Sequence, residues 1–254
     1  MTDLIVFKVG ENRYALDIEN VQRIIQAVAL TNIPNSHEYI DGMMSYKGKV
    51  IKVVDFRKVI DIKTYNDELK TLFLSLKEMH KEWVEALELS LENGSSFTKT
   101  FNPQACGLGK WIDSFTSYDD YITQVLNNLA EYHKQLHRRG EVAYEMRQQN
   151  RDKALELFRS DVKNIYDHTM EALNTFIKEL DLVANSLQKF IIYDNDGKLF
   201  AIKVDAIEDI AHVEKENLIN SSDEHNINEF LELEGVLDLD NLLINVIKAV
   251  HLPR

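Results

Sequence analysis

Four side chains in this chain of 254 residues have the types and spacing of a metal site: His80, Cys106, His133 and His137. Cys106 is the only cysteine, so the chain cannot form an internal disulfide. A single thiol that stands about as far from one histidine as from a pair four residues apart favours a tetrahedral metal site. Three imidazoles and one thiolate suit Zn²⁺. The sequence therefore predicts one zinc ion held by these four residues.

Two predicted helices would place the three histidines on buried faces. Tyr121–Arg147 has a helical apolar stripe that includes His133 and His137, one turn apart. Asp67–Leu91 has a second stripe, with His80 in line. Buried polar rings need partners, and a shared metal would satisfy all three. The alternative is that each histidine is a core residue bonded to a carbonyl group or to water.

The region around the cysteine resembles a known family. The run Cys106–Trp111, of sequence CGLGKW, with His80 upstream and the His133/His137 pair downstream, is similar to the bacterial chemoreceptor zinc-binding domain. The resemblance covers roughly residues 70–146. It implies a helical bundle that binds one zinc through three histidines and one cysteine, senses zinc or oxidants, and often forms dimers.

The two ends of the chain have the pattern of β-strands. Residues 1–62 contain short apolar runs separated by turn signals, and strand character returns at Phe190 after a last long helix, Asp152–Leu187. Leu4–Ile24 aligns without gaps on Phe190–Ile210, with the same phase of apolar residues. Two copies of one small β unit predict paired β-barrels that share an interface.

The helical block is therefore predicted to be an insertion. Four long antiparallel helices would return the chain to the end where it left the β-barrels. The predicted fold class is α+β: a pair of small β-barrels split by an inserted antiparallel four-helix zinc-binding bundle. The predicted boundaries are residues 1–63 for the first half of the β domain, 64–188 for the bundle and 189–254 for the second half.

The β halves resemble the CheW-like chemotaxis adaptor domain, through Ile33–Gly42 and Tyr46–Phe56. That family has two small β-barrels in one domain and implies a chemotaxis histidine kinase and chemoreceptor cytoplasmic tips as partners. The partner-binding residues expected from it are Lys47, Gly48, Lys49, Lys52 and Asp55. Lys47 stands where the family usually has Arg, which keeps the charge but loses the two-pronged guanidinium. The other interpretation of this basic cluster is a solvated edge.

Composition excludes several classes of function. The net charge of −13 argues against nucleic acid and anionic membrane as partners. The start of the chain lacks a basic segment, and no apolar run approaches about 20 residues, so a cytoplasmic location without membrane insertion is predicted. Motifs for phosphate binding or hydrolysis are missing, and four protein ligands leave no open position on the metal. The chain is therefore predicted not to be an enzyme.

The combined prediction is a cytosolic chemotaxis adaptor, homodimeric through the bundle, that couples receptors to a histidine kinase under the control of a zinc and redox site. Gly107 and Gly109 predict that Cys106 lies on a short mobile turn, so its thiolate would be the ligand most easily released by oxidation. Three alternatives remain: zinc as a purely structural staple, a zinc sensor or buffer outside chemotaxis, and a metalloenzyme if one histidine is labile.

Overall fold

The computed structural model describes residues 2–214, 218–219, 226–239 and 241–252. The chain divides into two compact units. The β unit comprises residues 1–65 and 184–254, and the helical unit comprises residues 66–183. The β unit is thus built from both ends of the chain, and the helical unit from its middle.

The first half of the β unit contains five strands and a short helix. Short apolar runs form the strands because alternate side chains pack on one face. A tight turn with Lys47 and Gly48 at positive φ joins the last two strands. The elements are β1 (Thr2–Val9), β2 (Asn12–Asp17), β3 (Val21–Gln26), β4 (Ile40–Tyr46), β5 (Lys49–Asp55) and α1 (Phe56–Val59).

The second half repeats this order of strands. Its elements are β6 (Lys189–Asn195), β7 (Lys198–Val204), β8 (Ala206–Val213), β9 (Asn226–Asn228), β10 (Leu231–Leu239) and β11 (Leu242–Val250). The internal repeat extends to the register: Phe7 faces Tyr14 across β1 and β2, and the equivalent Tyr193 faces Phe200 across β6 and β7. Two copies of the same hairpin therefore lie in the β unit.

The two halves exchange strands to form two sheets. The six-stranded sheet has the order β8-β1-β2-β11-β10-β9, and the five-stranded sheet has the order β3-β6-β7-β5-β4. Two parallel contacts, β11 with β2 and β5 with β7, join the repeats. The internal repeat predicts one barrel from each half of the chain. In the structure, each sheet contains strands from both halves. Neither half can complete a sheet alone.

A buried ion pair lies inside the β unit. The Arg57 guanidinium donates two hydrogen bonds to Asp205, from Nε at 2.7 Å and from Nη2 at 2.6 Å. Its Nη1 donates to the Lys63 carbonyl at 2.8 Å. The Asp205 carboxylate also accepts from the Gly10 amide at 2.7 Å and from the Gln188 side chain at 3.3 Å. These bonds connect four segments that are distant in sequence.

The middle of the chain is helical. Asp119 and Asn150 cap two of the helices, each accepting a hydrogen bond from a backbone amide three residues later. The elements are α2 (Tyr65–Asn93), α3 (Gly107–Ser114), α4 (Asp120–Met146), α5 (Arg151–Leu157), a π-helical turn (Phe158–Val162), α6 (Lys163–Lys178) and α7 (Leu180–Leu187). None of the helices in the described ranges is both long and apolar enough to span a membrane.

One pass of the bundle is mostly not helical. The α+β fold class is confirmed, but the pass between α2 and α4 is not one long helix as predicted, because α3 has only 8 residues. The segment nevertheless runs antiparallel to α2, since an extended residue covers more distance than a helical one. The contacts along it are Ser90 with Ser95, Trp83 with Thr100, His80 with Cys106 and Phe73 with Trp111.

Candidate metal centre

The structure brings His80, Cys106, His133 and His137 together within the helical unit. His80 comes from α2, His133 and His137 from successive turns of α4, and Cys106 from the residue before α3. One ligand atom from each residue lies within 4.8 Å of those of the other three. The histidines are buried and Cys106 is half-buried. The four side chains are thus positioned to hold a metal ion.

The separations suit a tetrahedral ion. The Cys106 sulfur lies 3.0 Å from His133 Nε2 and 3.7 Å from His80 Nε2. Zinc bonds of about 2.0 Å to nitrogen and 2.3 Å to sulfur place tetrahedral ligand atoms about 3.3 to 3.6 Å apart. Ring centroids of the three histidines are 4.7 to 5.9 Å from one another. Small side-chain adjustments therefore close the set around one ion.

Hydrogen bonding distinguishes the histidines. His80 Nδ1 lies 2.8 Å from the Leu76 carbonyl, which directs Nε2 toward the cluster, as expected for a metal-binding histidine. His137 is fully buried, yet neither of its ring nitrogens has a hydrogen-bond partner. Such an orphaned buried group is costly, and a bond to a metal would satisfy it. The residues present therefore fit a zinc ion.

The electrostatic environment keeps the imidazoles in their ligand form. Burial lowers the pKa of His133 to about 3, with His137 and His80 acting in the same direction. Burial also lowers the pKa of His137 to about 4; His80 adds to this, and the backbone of Thr100 opposes it. Burial raises the pKa of the Cys106 thiol. At neutral pH the histidines are neutral, and a metal must displace the thiol proton.

Cys106 is held by packing at the start of α3. Its sulfur accepts a hydrogen bond from the Gly109 amide at 3.4 Å and caps the helix. A Cβ at Gly109 would lie 1.9 Å from the Pro103 carbonyl oxygen, so only glycine allows this close approach. Gly107 and Gly109 lie within α3 and not on a separate turn as predicted, and Cys106 stands outside the helix interior at its N-cap.

A cavity reaches the cluster from outside. It has a volume of about 490 Å³ and is lined by Met79, Lys99, Lys110 and Cys106, among others. The half-buried sulfur of Cys106 therefore borders this cavity, whose lining includes two lysine side chains.

The two tryptophans have different places. Trp111 packs among Phe73, Phe115 and Phe176 and anchors α3. Trp83 lies with its ring centroid 4.8 Å from that of His137. Gly140, which is not a candidate ligand, lies against Trp83. An isolated glycine inside a helical pattern is the signal that could have pointed to it.

The expected partner-binding residues do not share one surface. Lys47, Gly48 and Lys49 are exposed at the β4–β5 turn, and Lys52 is half-buried in β5. Asp55 is only 3% exposed at the other end of β5 and caps α1. It can therefore affect a partner only through the strand that it anchors.

A hydrophobic side chain stands next to these lysines. Val50 begins an apolar run that predicts a buried strand, but it is 72% exposed. Sequence periodicity could not separate it from its buried neighbours, because the run from Val50 to Val54 is apolar on both faces except at Lys52. The exposed turn is thus both basic and apolar.

Two family models match the chain. The model described as a CheW-like domain matches residues 3–82. The model described as a chemoreceptor zinc-binding domain matches residues 80–144. The second match includes all four residues of the metal cluster.

Individual proteins are similar over part of the chain. The chemotaxis protein CheW of Thermotoga maritima is 23% identical over 73 residues, which are 29% of this chain and 48% of that protein. The CheW of Bacillus subtilis is 28% identical over 83 residues, 32% of this chain and 53% of that protein. The chain thus spans about half the length of these relatives.

Solved structures are also similar to the chain, and one of them covers nearly all of it. It is the scaffolding protein TtCheW from Thermoanaerobacter tengcongensis, with 15% identity and a TM-score of 0.46. The match covers 98% of this chain and 90% of that one.

Proposed function

Because the chain combines a CheW-like domain with a chemoreceptor zinc-binding domain, we propose that it is a cytoplasmic chemotaxis adaptor with no catalytic activity. In this proposal the β unit couples chemoreceptor cytoplasmic tips to a histidine kinase. The helical unit, inserted between the two halves of the β unit, binds zinc and regulates that coupling. Support comes from the CheW relatives, whose names place them in chemotaxis.

The observation that carries the metal part is the fully buried His137 ring without hydrogen-bond partners, beside two further imidazoles and a thiol. We expect about one zinc per chain, held by His80, Cys106, His133 and His137. Elemental analysis of the purified protein tests this, with the His133→Ala/His137→Ala variant expected to contain none. His168→Ala is a matched control, because His168 is a half-exposed histidine outside the cluster that stacks on Tyr132. Equal zinc in all three proteins would refute the assignment.

The β4–β5 turn is the proposed partner surface. Lys47, Lys49 and Val50 are exposed there, and a basic, partly apolar turn suits an acidic partner surface with an apolar centre. Lys47→Glu/Lys49→Glu should weaken binding to the histidine kinase from the same cell. Lys198→Glu, which changes an exposed lysine next to the β6–β7 turn of the same unit, is the matched control. If both variants bind the kinase like the wild type, this surface is not the interface.

Regulation is proposed to act through Cys106. Its sulfur would attack one oxygen of hydrogen peroxide, the O–O bond would break, and water would leave, giving a sulfenic acid. Sulfenic acid is a poorer metal ligand than thiolate, so zinc would be held less tightly. Support comes from the cavity beside the half-buried sulfur. Titration with peroxide or hypochlorous acid while kinase binding is followed should give a response in the wild type and none in Cys106→Ala.

The competing function is a structural staple, which the closed set of four protein ligands favours. A staple would bind zinc with a dissociation constant far below the free zinc concentration of the cytosol. It would not respond to mild oxidant. An equal oxidant response in wild type and Cys106→Ala, or none in either, would favour it.

We also propose a homodimer through the helical unit, supported by exposed Leu74 and Leu89 on α2; light scattering at tens of micromolar would test it.

A further inference from the structure

We propose that Trp83 is the positioning residue for His137, and that Gly140 provides the space that Trp83 needs. This inference rests on the proposed zinc site. It concerns how the ring of one ligand is oriented, because the identity of the ligands alone does not determine the geometry of a metal centre.

The ring of His137 lacks the support that His80 has. The backbone carbonyl of Leu76 orients His80 through Nδ1 at 2.8 Å. The backbone of Thr100 and Phe101 lies close to the His137 ring, but neither nitrogen has a hydrogen-bond partner of ordinary geometry. Because no well-formed hydrogen bond fixes the His137 ring, packing contributes most to its orientation, and the side chain packed on it affects where its ligand nitrogen points.

That side chain is Trp83. It is only 4% exposed, and its ring lies 4.8 Å from the ring of His137, tilted by 50°. The indole is fixed at its other edge, because Nε1 donates a hydrogen bond to the Thr100 carbonyl at 2.9 Å. Phe97 and Phe101 pack edge-on against the indole, with ring centroids 5.4 and 5.9 Å from that of Trp83. A plane fixed on several sides can act as a rigid wall for His137.

Gly140 lies three residues after His137 on the same side of α4. A Cβ there would be 2.3 Å from Cη2 and 3.1 Å from Cζ3 of Trp83, and 3.0 Å from Cδ2 of Leu87. Its φ is not positive, so the backbone conformation does not require glycine. Glycine is also less favourable than alanine inside a helix. The structural reason for glycine here is the volume of the indole.

The test follows from these opposing effects. Gly140→Ala should favour the helix but push the indole against His137. We expect zinc affinity to fall on the order of 10- to 100-fold, the range found when the support of a ligand is disturbed. Competition with a chromogenic chelator measures the affinity. Asn128→Ala, at an exposed position of α4, is the matched control and should leave it unchanged.

Rescue distinguishes positioning from general damage. Phenylalanine lacks the atoms Cη2 and Cζ3, so Trp83→Phe/Gly140→Ala should bind zinc no more weakly than Trp83→Phe alone. The absorption spectrum of the Co²⁺-substituted protein should shift in Gly140→Ala and not in Asn128→Ala, because it reports ligand geometry. Unchanged affinity and spectrum in Gly140→Ala, or a double variant weaker than both single variants, would overturn the inference.

A second measurement covers the case in which Gly140→Ala does not fold. In Trp111→Phe, Trp83 is the only tryptophan, and its fluorescence should change when zinc is added. In Trp83→Phe, the remaining Trp111 should respond little. The reverse pattern would also overturn the inference. If the wild type binds no zinc, the proposed metal site itself fails; if it does and Gly140→Ala matches it, only the role of Trp83 fails.

Discussion

The β unit and the helical unit each bury a polar cluster, and the two clusters are completed in different ways. In the β unit, Arg57 and Asp205 carry opposite charges and share two short hydrogen bonds, with backbone groups taking further positions. In the helical unit, neutral imidazoles and a thiol surround His137, whose nitrogens have no partner. One cluster is neutralised by its own residues, and the other is suited to a cation from outside.

The difference shows which unsatisfied atoms matter. The β unit also contains single buried oxygens without a partner, at Tyr46 and Gln188. Neither belongs to a group of three or more candidate metal ligands among the described residues. The nitrogens of His137 belong to a group of four candidate ligands, three imidazoles and one thiol, at metal-binding separations. An orphaned atom therefore indicates a ligand site only where its neighbours have matching chemistry.

The largest effect is expected from breaking the ion pair on one side. Asp205→Ala leaves Arg57 charged and buried, which costs about 3 to 5 kcal/mol of the free energy of unfolding. Urea denaturation measures it, with exposed Asp209→Ala as the matched control. Replacing both partners, in Arg57→Met/Asp205→Leu, should cost less than Asp205→Ala. A loss as small as that of the control would contradict the idea that charge complementarity completes this cluster.

Removal of zinc should have the next largest effect. Zinc at 100 to 1,000 times its dissociation constant stabilises the folded state by about 3 to 4 kcal/mol. A chelator should lower the free energy of unfolding by this amount, followed by helical circular dichroism in urea. The His133→Ala/His137→Ala variant should show no change with chelator. An equal change in both proteins would mean that the chelator acts elsewhere.

A smaller loss of stability is expected when the packing at the start of α3, next to Cys106, is made too tight. In Gly109→Ala the new Cβ meets the backbone of Pro103 at 1.9 Å, and overpacking of this kind costs about 1 to 3 kcal/mol. Zinc affinity should fall too, because α3 carries Cys106. Gly107→Ala is the control, since its nearest atom is the flexible end of Leu76 at 3.3 Å. The prediction fails if the two variants lose equal stability and equal zinc affinity.

The smallest effect is expected at Asp41, a half-buried carboxylate of the β unit. Burial alone would raise the pKa of Asp41, but Lys203 at 2.8 Å and Lys58 at 3.0 Å outweigh it and lower the pKa. The pKa of Asp41 is lower in the folded protein than in the unfolded chain. The charged carboxylate therefore stabilises the folded protein at pH values above the unfolded pKa.

The stabilisation is lost as the pH falls from the ordinary carboxyl value of 3.8 through the lower folded one. Stability measured from pH 6 to pH 2 should therefore depend less on pH in Asp41→Asn than in the wild type. Identical slopes would show that the two lysines do not hold this carboxylate in its charged form.

The helices that bring the three histidines together could be predicted from sequence, because a helix relates residues three and four positions apart. This local rule places His133 and His137 on one stripe of α4 and His80 on the buried face of α2. The repeat of β-hairpins was also visible, since strand alternation and turn residues are local signals. The type of metal followed from the chemistry of the four side chains.

Tertiary structure decided what depends on partners distant in sequence. The exchange of strands between halves rests on parallel contacts such as β5 with β7, which no local pattern encodes. The burial of Asp55 and the exposure of Val50 depend on which strands flank β5. The short α3 and the contact of Trp83 with Gly140 depend on how closely two backbones approach. Local periodicity determines which residues share a face, but only the folded chain determines what covers that face.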